Sequence, residues 1–378
     1  SSDLGAVCNP INTASEMKLL SYMIAYFYKF LSLFSSKVTV TYAAIIFPVV
    51  MFGLSIIAFF LFSRKIFSKE NPIKRDVIAL VSTTFYAFLP SLLSRTIAGI
   101  PEKESASYLF IFLSFYFILE ALESTKSKRG IIFSILAGIS TGILGLIWGG
   151  VIYVLITISG AVLVAFFLKK VKSTETLCFS IWVFSFLAVV MPFSTRYSPR
   201  NLVTSFGTSF TLGVLFILLV SEFFKKFKWK KLDSLESKIP REILISLIAV
   251  LIALILVTLA FGPSFLLSFG KHLVSELVSP LSTSRFGLTV AENQKPDFVS
   301  GWDSSFGPIV MNIPLYFWLF FIGSIFLFYE TVKKFSKKDR LQLVMGYVVF
   351  LTCLIFSNYS SRTILNGESF VSMLVYFG

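Results

Sequence analysis

Histidine occurs once in this 378-residue chain, at His272, and cysteine three times, at Cys8, Cys178 and Cys353. Two of the cysteines lie inside apolar runs, which excludes a disulfide framework and a cysteine-based metal site. His272 has no partner histidine and reads as a structural loop residue. Acidic residues are also scarce, 20 against 34 Lys and Arg. The long apolar runs are nearly free of charge away from their ends. That counts against a transporter or channel, whose pathway would be marked by ionisable groups deep within spans; an uncharged pore remains a remote alternative. The net charge of +14 does not indicate nucleic acid, because the basic residues sit in short links between apolar segments.

What the chain does contain is apolar bulk: 56% hydrophobic residues, 17% aromatic, with 44 Phe. Runs of roughly 17–25 apolar residues have the length of bilayer-crossing helices. The expected fold class is all-α, a polytopic transmembrane helical bundle. Spans are expected at 38–62, 76–94, 106–122, 130–148, 150–168, 177–193, 203–223, 243–262, 310–332 and 341–357. Residues 16–34, interrupted by Lys18 and Lys29, suit an interfacial amphipathic helix or a short span. Of the 34 Lys and Arg, 23 fall in alternate links, around 64–75, 126–129, 169–172, 225–241 and 333–340. By the positive-inside rule these links are cytoplasmic. The expected organisation is an external segment 1–37 carrying the interfacial helix, a bundle over 38–357, and an external tail 358–378. Residues 94–105, the Trp148-Gly149-Gly150 turn, 193–202 and the long loop 263–309 are then external as well. The chain has no initiator Met or signal peptide at its start, and is expected to be an internal piece of a longer protein.

Two external segments carry carboxylates. SRTIAGIPEKES, Ser94–Ser105, places Pro101, Glu102 and Glu104 where a helix begins. One reading is a well-capped first turn, with acids at the positive end of the dipole. The other is a pair of hard oxygen ligands for Mg2+, Mn2+ or Ca2+. Glu292 lies in RFGLTVAENQKPDFVSGWD, Arg285–Asp303, within a polar insertion of some forty residues. Such a loop outside the bilayer usually carries function. Three converging carboxylates would repel one another unless a cation kept them ionised. Taken alone, Glu292 also suits a solvated loop. Trp148-Gly149-Gly150 permits a tight reversal with the indole at headgroup level, and no chemistry is assigned to it. Arg95, Arg196, Arg200, Arg285 and Arg362 lie on the external side. They suit either snorkelling to headgroups or recognition of a phosphate-bearing lipid.

SRTIAG followed by an acid-x-acid triplet, LIWGG at the end of a span, and TVAENQ before a Trp resemble, in that order, the catalytic subunits of oligosaccharyltransferases, most closely the archaeal single-subunit type. The resemblance runs over essentially the whole chain. It implies a glycosyltransferase membrane domain of the GT-C type. PEKE resembles the family's second acidic motif, with Glu102 and Glu104 as the matching carboxylates. TVAE, Thr289 to Glu292, resembles the TIXE motif of the fifth external loop, whose glutamate helps bind metal and acceptor. Gln294 and Trp302 belong to the same substrate-facing loop. Arg95 is a further substrate-binding candidate, and Arg362 in NYSSRTILN resembles an arginine that contacts the donor's pyrophosphate.

The sequence also departs from the family. Asp is usual where Glu102 stands, the first acidic motif lies upstream of residue 1, and the C-terminal domain with its WWDYG motif is not present. The piece itself is therefore expected to be inactive.

The resemblance implies metal-dependent transfer, with Mn2+ or Mg2+, of an oligosaccharide from a dolichyl-type phosphate or pyrophosphate to the Asn amide of Asn-x-Ser/Thr. Glu102, Glu104 and Glu292 would act as catalytic residues and metal ligands at the external face of the cell membrane. The partners implied are the lipid-linked donor, the acceptor polypeptide and membrane lipid, with no nucleic acid. An alternative within the same class is another polyprenyl-phosphate-sugar-dependent enzyme, for example one moving mannose to Ser or Thr.

Overall fold

The computed structural model describes residues 17–124, 127–227, 240–267 and 270–271, with 309–310, 313–314, 322–323, 325–326 and 329 further along. Among these residues the regular structure is helical apart from one pair of two-residue strands, β1 (Ile309–Val310) and β2 (Ile313–Pro314), paired antiparallel. The span expected from 310 therefore begins in extended backbone. The span expected at 341–357 lies outside the described residues.

Helix α1 (Leu19–Ser32) has 14 residues, about 21 Å at 1.5 Å per residue, too short to cross a bilayer core. Its inner face, Leu19, Leu20, Met23, Ile24 and Phe27, packs on Phe47, Met51, Ala106 and Ile147. Its other face leaves Tyr22, Tyr26 and Phe30 exposed.

Helix α2 (Val40–Ile66) is capped by Thr39, whose hydroxyl accepts from Tyr42 N at 3.2 Å. Next come α3 (Pro72–Ala87) and α4 (Pro90–Thr96), where one continuous span over 76–94 is expected. The break has a local cause. Pro90 lacks an N–H and disfavours helical backbone at the residue before it, and Leu89 is accordingly extended with φ −68° and ψ 115°.

Four longer elements follow: α5 (Lys103–Glu123), α6 (Ser127–Ile147), α7 (Val151–Phe167) and α8 (Ser173–Phe193). A 3₁₀ turn (Thr195–Tyr197) and the short α9 (Pro199–Thr204) lead into α10 (Phe206–Phe227), and α11 (Arg241–Phe261) comes last. By length and composition α2, α5, α6, α8, α10 and α11 are long and apolar enough to cross a membrane. The 17-residue α7 is equally apolar but shorter. Gly262 ends α11 with φ +85°, a conformation available to glycine at little cost. A helical turn over 263–267 then occupies the first residues of the expected polar loop.

Helices α3, α2, α5, α6 and α8 pack side by side, α10 lies against α8, α7 and α11, and α1 rests on α2 and α6. The tightest seam joins α6 to α8. A β-carbon placed on Gly138 would lie 2.4 Å from Ser185 Cβ and 2.6 Å from Trp182 O, and one on Gly142 would lie 2.6 Å from Val189 Cβ. Small residues four apart let membrane helices approach at backbone distance. Across that seam Trp182 donates its indole N–H to Thr141 Oγ1 (3.0 Å), and Thr141 bonds Ser114 Oγ on α5 (3.2 Å). All three side chains are buried among Ile118, Leu144, Leu155, Phe179 and Phe186.

Ion pairs orient the bundle. Lys65 on α2 meets Glu120 (2.7 Å) and Glu123 (3.0 Å) on α5, and Arg129 on α6 meets Glu120 at 2.9 Å. Lys169 after α7 lies 3.5 Å from Glu242 on α11, and Ser173 on α8 donates to Glu222 on α10. Among the described residues these contacts bring the ends of α2, α5, α7 and α10 and the starts of α6, α8 and α11 together at one end of the bundle. The Glu102 turn begins α5 and so lies at the opposite end, about 30 Å away along a 21-residue helix.

Candidate active site

The acid-bearing turn is held from both sides. Gly99 takes φ +92°, in the left-handed region that admits glycine without a Cβ clash. Its N–H donates to Ile45 O on α2 at 3.0 Å. Ile100 N bonds Ile97 O, and Glu102 N bonds Ile100 O at 2.9 Å. Pro101 precedes the first turn instead of opening it, since the helix starts at Lys103 with Glu102 as its N-cap. Ser105 Oγ closes the turn by donating to Glu102 O at 2.7 Å. Ala106, on the same turn of α5, belongs to the apolar floor shared with Phe47, Met51, Ile147 and α1.

The Glu102 side chain makes no capping hydrogen bond. Its Oε2 accepts instead from Arg95 Nη1 on α4 at 2.8 Å, with the two side chains 36% and 38% exposed. A full opposite charge is a stronger partner for a carboxylate than a neutral backbone N–H. Glu102 still sits at the N-cap and Glu104 in the first turn, at the positive end of the α5 dipole, though neither role rests on a side-chain capping bond from Glu102. Glu104, in the first turn of α5, is partly exposed beside it. Arg95, expected to meet substrate, lies against Glu102. The charges of Arg95 and Glu102, seven residues apart across a glycine, are the signal that would have suggested the pairing.

At the same end, Trp148 closes α6 and folds back over the turn: a β-carbon on Gly150 would lie 2.0 Å from its ring. Gly149 faces Arg196, whose Nη2 would be 3.6 Å from a β-carbon there. Arg196 and Arg200 are both exposed. Next to Arg196, Tyr197 is buried and donates its hydroxyl to Gly145 O at 2.9 Å; burial raises its phenol above the ordinary value. Arg196 and the Trp-Gly-Gly turn thus meet, which sequence spacing does not reveal.

Thr289, Glu292, Gln294, Trp302 and Arg362, and with them His272, most of the loop 263–309 and the tail 358–378, lie outside the described residues. Among the described residues no three His, Cys, Asp or Glu side chains come together. The described part contributes Glu102 and Glu104, oxygen donors of the kind that hard divalent cations take. Their chemistry is of the kind that fits such an ion.

A bundle whose described residues include six helices long and apolar enough to cross a membrane is that of a polytopic integral membrane protein. Within that class the chain belongs to the oligosaccharyl transferase STT3, N-terminal, family, whose model matches residues 10–359. Its fold is that of solved archaeal oligosaccharyltransferase chains from Archaeoglobus fulgidus. One, AglB in complex with an inhibitory peptide and a dolichol-phosphate, is 16% identical with a TM-score of 0.61, covering 94% of this chain and 41% of that one. A second, tethered to an acceptor peptide containing the NVT sequon, is 17% identical with a TM-score of 0.61 over 94% and 40%. A third, in complex with Zn and sulfate, is 16% identical with a TM-score of 0.58 over 94% and 39%. The chain spans about two-fifths of the length of these proteins. No curated protein sequence matches it.

Proposed function

We propose that this chain is the membrane part of an oligosaccharyltransferase that moves a lipid-linked oligosaccharide to the side-chain amide of Asn in Asn-x-Ser/Thr, at the external face of the membrane. The observation that carries the reading is Glu102. It is fixed backbone-first at the mouth of the bundle, remote from the basic links, in a chain of the STT3 N-terminal family. The Archaeoglobus relatives held with dolichol-phosphate and with an NVT peptide support the choice of donor and acceptor.

Glu102, Glu104 and Glu292 would hold a divalent cation, Mn2+ or Mg2+, and the relative with bound Zn supports a metal-using site. When bound, the cation supplies Lewis-acid stabilisation of the charge that grows on the leaving phosphate. The remaining work falls to the chain. An amide nitrogen is a weak nucleophile because its lone pair is delocalised into the carbonyl. The Glu292 carboxylate accepts hydrogen bonds from the acceptor's N–H groups and holds that nitrogen towards the sugar. Thr289, Gln294 and Trp302 present the acceptor from the same loop, and the Arg362 guanidinium receives phosphate oxygens as a planar fork. The anomeric carbon forms its bond to nitrogen as its bond to the phosphate oxygen breaks. The lipid phosphate departs with the electron pair, and water takes up the proton that the amide nitrogen loses.

The test uses Glu102→Ala and Glu292→Ala in the full-length protein. Both should abolish glycan transfer at unchanged expression; full activity in either removes the site.

A further inference from the structure

We infer that the outward face of α1 is a lipid-docking surface, seated at the headgroup–acyl boundary of the leaflet on the Glu102 side and selective for anionic headgroups. The inward face of this helix is occupied by protein: Leu20, Ile24 and Phe27 pack on a floor that includes Phe47, Ala106 and Ile147. The outward face is open among the described residues. Tyr22, Tyr26 and Phe30, continued by Leu33 and Phe34 past the helix end, are between 54% and 80% exposed. Steps of four residues set the three rings one above another, and Phe30 meets Phe34 edge to face at 5.2 Å. A folded protein rarely leaves a contiguous patch of this kind in water.

Depth, continuity and charge together name lipid as the cover. Ala106 lies in the first turn of α5, Ile147 ends α6, and Trp148 packs on the same floor. Helix α1 thus rests where two apolar helices reach their ends, the level at which indole rings meet headgroups. On α2, Val50 and Leu54 stand three residues beyond the Phe47 and Met51 that α1 covers, and both are exposed. They belong to a helix long and apolar enough to cross the membrane, so the lipid that wets α2 reaches the edge of α1. Lys18, Lys29 and Lys37 are the only charged residues over 17–37, and Lys29 Nζ lies 5.5 Å from the centre of the Tyr26 ring. A lysine stem laid along aromatic rings, with its ammonium at the rim, is how an interfacial helix meets anionic headgroups. Docked there, α1 is held between lipid and a floor that includes Ala106, four residues after Glu102, and so sets how far the acid turn stands from the headgroups.

The experiment places a fluorophore on Tyr22→Cys, Tyr26→Cys or Phe30→Cys in full-length protein whose native cysteines are replaced by alanine, held in nanodiscs of phosphatidylcholine and phosphatidylglycerol. Quenching by lipids brominated at successive depths should place all three labels about 5–10 Å into the boundary. Brominated phosphatidylglycerol should quench the Tyr26→Cys label about two-fold more than brominated phosphatidylcholine does. Lys29→Gln/Lys37→Gln should bring that ratio close to one. Labels quenched by aqueous iodide and by neither lipid lie in water, and labels reached by neither iodide nor lipid lie under another protein segment; either result overturns the docking. Equal quenching by the two lipids, or a ratio that the double variant leaves unchanged, overturns the selectivity for anionic headgroups.

Discussion

Lys65, in the last turn of α2, lies 2.7 Å from Glu120 near the end of α5, and both side chains are nearly out of water, 13% and 11% exposed. Removing one member of such a pair leaves the other charge buried, which commonly costs about 3–5 kcal/mol. Glu120 retains Arg129 at 2.9 Å, so Lys65→Met should cost less, about 2–3 kcal/mol. Lys65→Met combined with Glu120→Gln should recover part of the loss. Thermal unfolding of the purified protein in one detergent reads both, and equal stability of Lys65→Met and wild type would refute the estimate.

Gly138 tests the α6–α8 seam. Gly138→Ala sets a methyl 2.4 Å from Ser185 Cβ and 2.6 Å from a backbone oxygen. The helices must separate, at a cost of about 1–3 kcal/mol. Gly213→Ala on α10 is the matched control, because nothing lies within 4 Å of its added carbon. There the change should be neutral or stabilising by up to about 1 kcal/mol through helix propensity. Similar melting temperatures for the two variants would show that the seam is looser than described.

The Trp182–Thr141–Ser114 chain makes a prediction about polar burial. Thr141→Val is nearly isosteric but leaves the buried Trp182 N–H without its acceptor, at about 1–3 kcal/mol. Ser114→Ala should cost less, about 1 kcal/mol, because Thr141 still bonds Ala137 O. The ranking of the two melting temperatures is the observable.

Tyr197 should make stability fall at alkaline pH. Burial raises its folded phenol above the ordinary value. The contribution is full below the unfolded value, about pH 10, and is lost as pH rises above it, because the unfolded chain releases the proton first. Tyr197→Phe should unfold earlier near neutral pH, having lost the bond to Gly145 O, and should show a shallower decline above about pH 10. Parallel stability–pH curves for the two proteins would exclude this account.

Acceptor chemistry separates the two transferase readings. Full-length protein given a lipid-linked donor and peptides should glycosylate Asn-x-Thr and leave Gln-x-Thr unmodified. Modification of Thr in both peptides would favour the Ser/Thr-directed alternative.

Membrane character and the placement of most helices through α11 are encoded locally, in apolar run length and in the positions of Lys and Arg between the runs. Those signals depend on solvation by lipid and on charge near the membrane surface, and they need no knowledge of neighbours. Pro90 shows their limit: an apolar run over 76–94 conceals a break that one missing N–H imposes. What only the packed bundle decided is which ends meet. The partnership of Arg95 with Glu102 depends on Gly99 turning the chain and on α2 accepting its N–H. The contact of Arg196 with the Trp148–Gly150 turn depends on α6 and α8 lying at glycine distance. Side chains far apart in the chain pair because packed helices bring their ends together, and a one-dimensional pattern contains no such distances.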